Sequence, residues 1–136
     1  MFVLDTNVVS ELRRPARADP RVIAWASTHS LTSFFLSSIT ILELELGVLQ
    51  VERRDPAQGA VLRAWLDGQV MPRFIDRVLA VDVAVAQRCA RLHVPNPRSE
   101  RDALIAATAL AHGMSVVTRN VADFAATGVG IVDPWA

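Results

Sequence analysis

The chain has no lysine and no tyrosine, one cysteine, and only five phenylalanines and three tryptophans among its 136 residues. Without lysine, no ammonium group can sit beside a transferred phosphate or act as an amine nucleophile. With Cys89 alone, an internal disulfide and a cysteine-based zinc site are both excluded, which fits a reducing compartment. No apolar run approaches the ~18 residues that a membrane-spanning helix needs. The first residues also lack the charged region and cleavage site of a secretory signal, so a cytoplasmic protein is expected. Net charge is zero and the sequence pI is about 6.8, so bulk electrostatics does not point to a polyanionic partner.

What is present is apolar and regularly punctuated. Hydrophobic residues make up 51% of the chain and mean hydropathy is +0.30, so part of the surface is expected to meet a protein partner. The length suits a single domain, 1–136, with a core of its own. Short apolar runs at 2–4, 33–38, 77–82, 115–118 and 130–133 predict five strands. Helices are predicted between them, two opening on Asp-Pro at 19 and 55, and one ending at Gly113. Leu42, Leu46 and Leu49 share one helical face, as do Val61, Leu62, Trp65 and Leu66, so residues 40–70 are predicted to form an αα-hairpin. Brief continuous apolar strands alternating with helices predict an α/β fold, a parallel sheet covered on both faces.

In such a sheet, function gathers at the carboxyl ends of the strands. Asp5 ends the first strand, in "FVLDTN". Glu43 is predicted in the first turn after the second strand and Asp102 in the first turn before the fourth, with Asp123 just beyond it. Each acid has a structural role open to it. Asp5 can cap the next helix; Thr40 with Glu43, and Ser99 with Asp102, fit capping boxes. Capping does not explain why four acids distant in sequence converge on one rim. Four like charges there repel, and a divalent cation removes that cost. Ligation by carboxylates alone suits Mg²⁺ or Mn²⁺.

Four stretches, "LDTNVVSEL", "SSITILELELGVL", "RDALIAATALAHG" and "VVTRNVADF", occur in an order and spacing that resembles PIN-domain ribonucleases of the VapC/FitB-like toxin group. The resemblance implies a PIN-like fold, a five-stranded parallel sheet flanked by helices. It implies that Asp5, Glu43, Asp102 and Asp123 form the acidic, metal-binding site of a single-strand RNA endonuclease. Thr118 and Asn120 are then expected to hydrogen-bond these acids, with Thr6 or Asn7 supporting Asp5. A homodimer and an antitoxin whose tail enters the cleft are the partners implied. Water activated by the cation would attack phosphorus and leave a 5′-phosphate and a 3′-hydroxyl.

Arg98, Arg101 and Arg119 flank the acidic stretches; each is a candidate for RNA phosphates and equally an ordinary surface arginine. Asp82 is read as a helix cap, Cys89 as a core residue, and His29, His93 and His112 as isolated from one another. "DTNV" also has the look of the opening of haloacid-dehalogenase phosphatases, and response-regulator receivers keep acids at strand ends. Both need a lysine that this chain lacks. The alternatives left open are a PIN-like scaffold that binds without cutting and a related DNA-directed nuclease.

Overall fold

The computed structural model describes all residues from Met1 to Ala136. The chain begins with strand β1 (Phe2–Leu4), helix α1 (Thr6–Glu11), helix α2 (Pro20–Ser27) and strand β2 (Phe34–Ser37). Helices α3 (Ser38–Arg54) and α4 (Pro56–Trp65) follow, then α5 (Met71–Phe74) and strand β3 (Val78–Leu79). The second half runs α6 (Val83–Leu92), α7 (Glu100–Ala111), β4 (Ser115–Val117), α8 (Val121–Phe124) and β5 (Ile131–Val132). All five strands are parallel, in the order β3-β2-β1-β4-β5. The chain therefore builds outward from β1 in one direction, then crosses back to add β4 and β5 on the other side. That reversal lies between β1 and β4, where open α/β sheets leave a crevice beyond the strand ends.

Alternation along the strands feeds two cores. Val3 and Val116 face Ile105, Ala106 and Phe124 on one side; Leu4 and Val117 face Val8, Val9 and Leu44 on the other. Ala103, Ala106, Ala107 and Ala109 are fully buried on α7, and their small side chains let that helix lie close to the sheet.

The Asp-Pro signals act as expected. The side chain of Asp19 accepts from the main-chain N–H of Arg21, and that of Asp55 from Gln58. Asp82 caps α6 through the N–H of Val85. The helix pair α3–α4 is the expected αα-hairpin, but its second arm runs on through a π-turn, Leu66–Val70, into α5. Pro72 has no N–H for the ladder, and the wider turn before it absorbs the missing bond.

The buried face of α3 differs from the expected one. Thr40, Leu44 and Val48 turn inward, while Leu42 and Leu49 are about half exposed, at 47% and 53%. On the second arm Leu66 is buried, but Val61 is exposed. The expected capping box of Thr40 and Glu43 is absent as well. Ser37 caps α3 by accepting from Ile39, and Thr40 is buried one turn later, its hydroxyl without a partner in the chain. Starting at Ser38, α3 carries Glu43 in its second turn rather than its first.

The hairpin arms meet at Gly59, where a Cβ would lie 2.5 Å from the Glu52 Cα and 2.8 Å from its nitrogen. Arg63 ties the same region to Glu45 and Glu52 through four hydrogen bonds. Because the obstacle is backbone, Gly59→Ala must push the arms apart. We expect a loss of about 1–3 kcal/mol, read as a lower midpoint in urea; an unchanged midpoint would refute this packing.

Candidate active site

Asp5 stands where the sheet reverses. Its main-chain N–H continues the β1–β4 ladder by donating to the Val117 carbonyl at 2.9 Å, and its side chain is only 5% exposed. One carboxylate oxygen, Oδ1, accepts the N–H of Thr6 at 2.8 Å, so Asp5 does cap α1. The other, Oδ2, accepts the Thr118 hydroxyl at 2.8 Å and the Asn7 amide at 3.4 Å. Capping therefore occupies one oxygen and leaves the second turned toward β4. Burial pushes the Asp5 carboxyl above its ordinary range; the Thr118 and Thr6 hydrogen bonds oppose that, and the charges of Asp102 and Glu43 add to it.

The other acids come to the same rim on separate elements. Glu43, on α3, accepts the Thr6 hydroxyl at 2.7 Å and lies 3.8 Å from the Arg101 guanidinium. Asp102 occupies the first turn of α7, half-buried. Burial raises its carboxyl and the charge of Asp123 adds to that; a Ser99 side-chain hydrogen bond opposes it, and the charge of Glu43 adds the smallest share. Asp123 is exposed in the first turn of α8. Asp5 and Asp102 thus each feel two of the other acids. A carboxylate at a helix N-terminus is normally stabilised in its charged form; at Asp102 desolvation and repulsion outweigh that. Ser99, the N-cap residue of α7, caps no main-chain N–H with its side chain, so the expected Ser99–Asp102 box does not form in full.

The supporting residues divide unevenly. Thr6, Asn7 and Thr118 each touch an acid. Asn120 instead gives its main-chain N–H to the Thr118 hydroxyl at 2.9 Å, so it acts through Thr118 and not through its own amide. Arg98 is spent internally: its Nε donates to the Leu92 carbonyl at 2.7 Å. Arg101 is beside Glu43, and Arg119 lies over the Trp135 ring at 5.5 Å.

The donor set at the rim is all oxygen. No three of the four acids bring their oxygens within 4.8 Å of one another, so the rim is not a preformed carboxylate cage and could hold only an ion that keeps part of its water shell. Mg²⁺ is an ion of this kind, keeping several waters and taking only one or two carboxylates directly.

The one tight cluster of metal-ligand types is elsewhere: Cys89, His93 and Glu100, where α6 meets α7. The Cys-x₃-His spacing on one helix was the only sequence signal for it. Its geometry favours a hydrogen-bonded link. The Arg98 N–H donates to His93 Nδ1 at 3.2 Å, which leaves the proton of the neutral ring on Nε2. Nε2 faces the Cys89 sulfur and a Glu100 oxygen, each at 3.8 Å, and a metal there would have to displace that proton. Burial, with the Glu100 charge, pushes the Cys89 thiol up and keeps it protonated.

Residues 2–129 match the family model described as the PIN domain. The chain is 37% identical to VapC ribonuclease Y4jK of Sinorhizobium fredii, over 99% of this chain and 98% of the relative. It is 36% identical to toxin FitB of Neisseria gonorrhoeae, over 99% of each. The crystal structure of FitAcB from the same organism superposes with a TM-score of 0.90 at 36% identity, covering 99% of both chains. With its parallel sheet, its acidic rim at the strand reversal and this end-to-end likeness, the chain belongs to the PIN-domain family.

Proposed function

We propose that this chain is a divalent-cation-dependent endoribonuclease, the toxin of a toxin–antitoxin pair, folded as a single domain over residues 1–136. The observation that carries the reading is Asp5: a buried carboxylate, pinned by Thr6 and Thr118, in the field of two further acids at the sheet's reversal point. The relatives named VapC ribonuclease and FitB toxin support it.

In this reading Asp5, Glu43, Asp102 and Asp123 hold Mg²⁺ or Mn²⁺. The bound ion supplies positive charge against the developing oxyanion and makes a nearby water acidic enough to attack phosphorus. Thr118 and Thr6 fix the two Asp5 oxygens in direction, so the carboxylate does not have to reorganise during the reaction. Thr6 also holds Glu43, coupling α1 to α3 across the cleft. No side chain is needed as nucleophile, and no serine–histidine or cysteine–histidine pair lies at this rim.

The partners in this reading are single-stranded RNA, a second copy of the chain and an antitoxin. Apolar surface for protein partners is present in two places. Leu42, Leu49 and Val61 are exposed on the hairpin, and a groove of about 310 Å³ runs between α1, α2 and the second hairpin arm, lined by Leu12, Leu31, Trp65 and Phe74. No helix is long and apolar enough to cross a membrane.

Purified chain incubated with labelled single-stranded RNA tests the proposal. Cleavage that needs Mg²⁺ or Mn²⁺, stops in excess EDTA and leaves 5′-phosphate and 3′-hydroxyl ends is the expected result. Undiminished cutting in EDTA would sink the metal reading. Binding without cutting would favour a scaffold, and preferential cutting of DNA of the same sequence would favour a DNA nuclease.

A further inference from the structure

We infer that Arg13, Arg14 and Arg17 form a phosphate-binding cleft beside the acidic rim, taking the backbone of single-stranded RNA outside the cutting site. The inference rests on the proposed ribonuclease activity and names where its substrate is held. After α1 the chain bends through a short 3₁₀ turn, Pro15–Arg17. The bend gathers the three arginines with Ser10 and Glu11 around a pocket of about 150 Å³ that no apolar residue lines.

All six ion pairs of the chain are made by Arg21, Arg63, His93 and Arg101, so none of these three guanidiniums has a carboxylate within 4.0 Å. Each presents five N–H donors in a planar fork that matches phosphate oxygens. Arg13 is held in place over the Trp65 ring at 5.9 Å. Burial, and to a lesser degree the neighbouring charge of Arg14, lowers its pKa. Unpaired arginines also occur on α3 and α6. What sets these three apart is a shared concavity and its position.

That position is close to the acids. Asp5 caps α1, which ends at Glu11, and Arg13 follows two residues later in a tight turn; at about 1.5 Å per residue for such compact backbone it lies on the order of 12 Å from Asp5. The chain then turns back. Glu11 accepts the Asp19 N–H at 3.0 Å, Asp19 feels the charge of Arg119, and Arg21 feels Asp133. Arg119 and Asp133 follow β4 and β5, so this segment borders the same rim as Asp5. Twelve ångströms is about three or four phosphates of a stacked strand at roughly 3.4 Å each.

RNA is favoured over an acidic protein segment because an acidic rim repels the polyanion it must cut. The arginines nearest the acids cannot offset this freely, since Arg98 is bonded to Leu92, Arg101 is beside Glu43 and Arg119 lies on Trp135. Arg14 and Arg17 have neither a carboxylate nor an aromatic ring as partner, and Arg13, held over Trp65, completes the group beside the rim.

The test measures binding of a 12-nucleotide and a 2-nucleotide RNA to full-length chain carrying Asp5→Asn, in Mg²⁺, across a range of salt. Adding Arg14→Ala and Arg17→Ala should weaken the longer RNA on the order of tenfold. It should also reduce the salt slope by about 1.4, two contacts at about 0.7 each. The 2-nucleotide RNA, too short to span both sites, should bind as before, and Arg14→Lys with Arg17→Lys should keep the slope. Unchanged melting temperatures confirm that the variants are folded. Equal affinity and slope for the alanine variant on the longer RNA overturns the inference. Loss of antitoxin binding with RNA binding intact also overturns it, and assigns the cleft to an acidic protein segment. If the Asp5→Asn chain and the parent both fail to engage RNA at all, the ribonuclease reading has failed and the cleft falls with it.

Discussion

Asp5→Asn is expected to slow RNA cleavage on the order of 10³-fold, about 4 kcal/mol of barrier, while leaving the fold intact. An asparagine oxygen can still accept the Thr6 N–H that caps α1, so α1 keeps its start. What is lost is the negative charge on the oxygen turned toward Thr118. A neutral amide there can neither neutralise a cation nor accept two donors. Thr118→Val removes the hydroxyl that aims this carboxylate and should cost about 10–100-fold, as the loss of an orienting partner does. Thr118→Ser, which keeps the hydroxyl, should stay close to the parent. Single-turnover cleavage, with circular-dichroism melts as the folding control, measures all three. An Asp5→Asn chain within fivefold of the parent would mean that the carboxylate is only a helix cap.

The metal-free protein is expected to lose stability as pH rises, and Mg²⁺ or Mn²⁺ to restore it. Asp5 and Asp102 both titrate above the ordinary carboxylate range, burial being the larger cause in each and neighbouring acids adding to it. The unfolded carboxyls titrate near 4. Between that value and the raised folded values, the native chain holds protons that the unfolded chain has released. The carboxyls' contribution therefore favours the fold below about pH 4 and is lost as pH climbs through the folded values. A cation at about 100 times its dissociation constant should return roughly 2.7 kcal/mol.

Asp102→Asn discharges one of these acids. In EDTA at pH 8 it should raise the melting temperature by a few degrees, on the order of 1 kcal/mol, although the variant cuts poorly. A capping role predicts the opposite sign, because Asp102 lies in the first turn of α7 where negative charge is favourable. Melts of parent and variant at pH 5 and pH 8, with and without metal, separate the two. A lower melting temperature for Asp102→Asn at pH 8 in EDTA, with no response of the parent to metal, would refute the metal site.

What could be read along the chain was whatever depends on neighbours in sequence. Asp19 and Asp55 cap helices because proline follows and preorganises the first turn, and Asp82 does so without one. The short apolar runs became parallel strands because apolar alternation with helices leaves few other solutions. The four acids were legible as strand-end and helix-start residues once the sheet was assumed.

Only the tertiary structure decided what depends on distant partners. Helix α3 carries apolar residues nearly all round, so its periodicity could not say that Thr40, Leu44 and Val48, rather than Leu42, Leu46 and Leu49, would meet the sheet. The helix began two residues before Thr40 because Ser37, at the end of β2, was already in place to cap it. Arg98 looked free for a phosphate until the fold brought it to the Leu92 carbonyl, and Cys89 looked solitary until Glu100 closed over it. Asp5 shows the division most plainly. Its first oxygen serves the next residue in the chain, a contact the sequence determines; its second serves Thr118, 113 residues away, a contact that exists only because β4 pairs with β1.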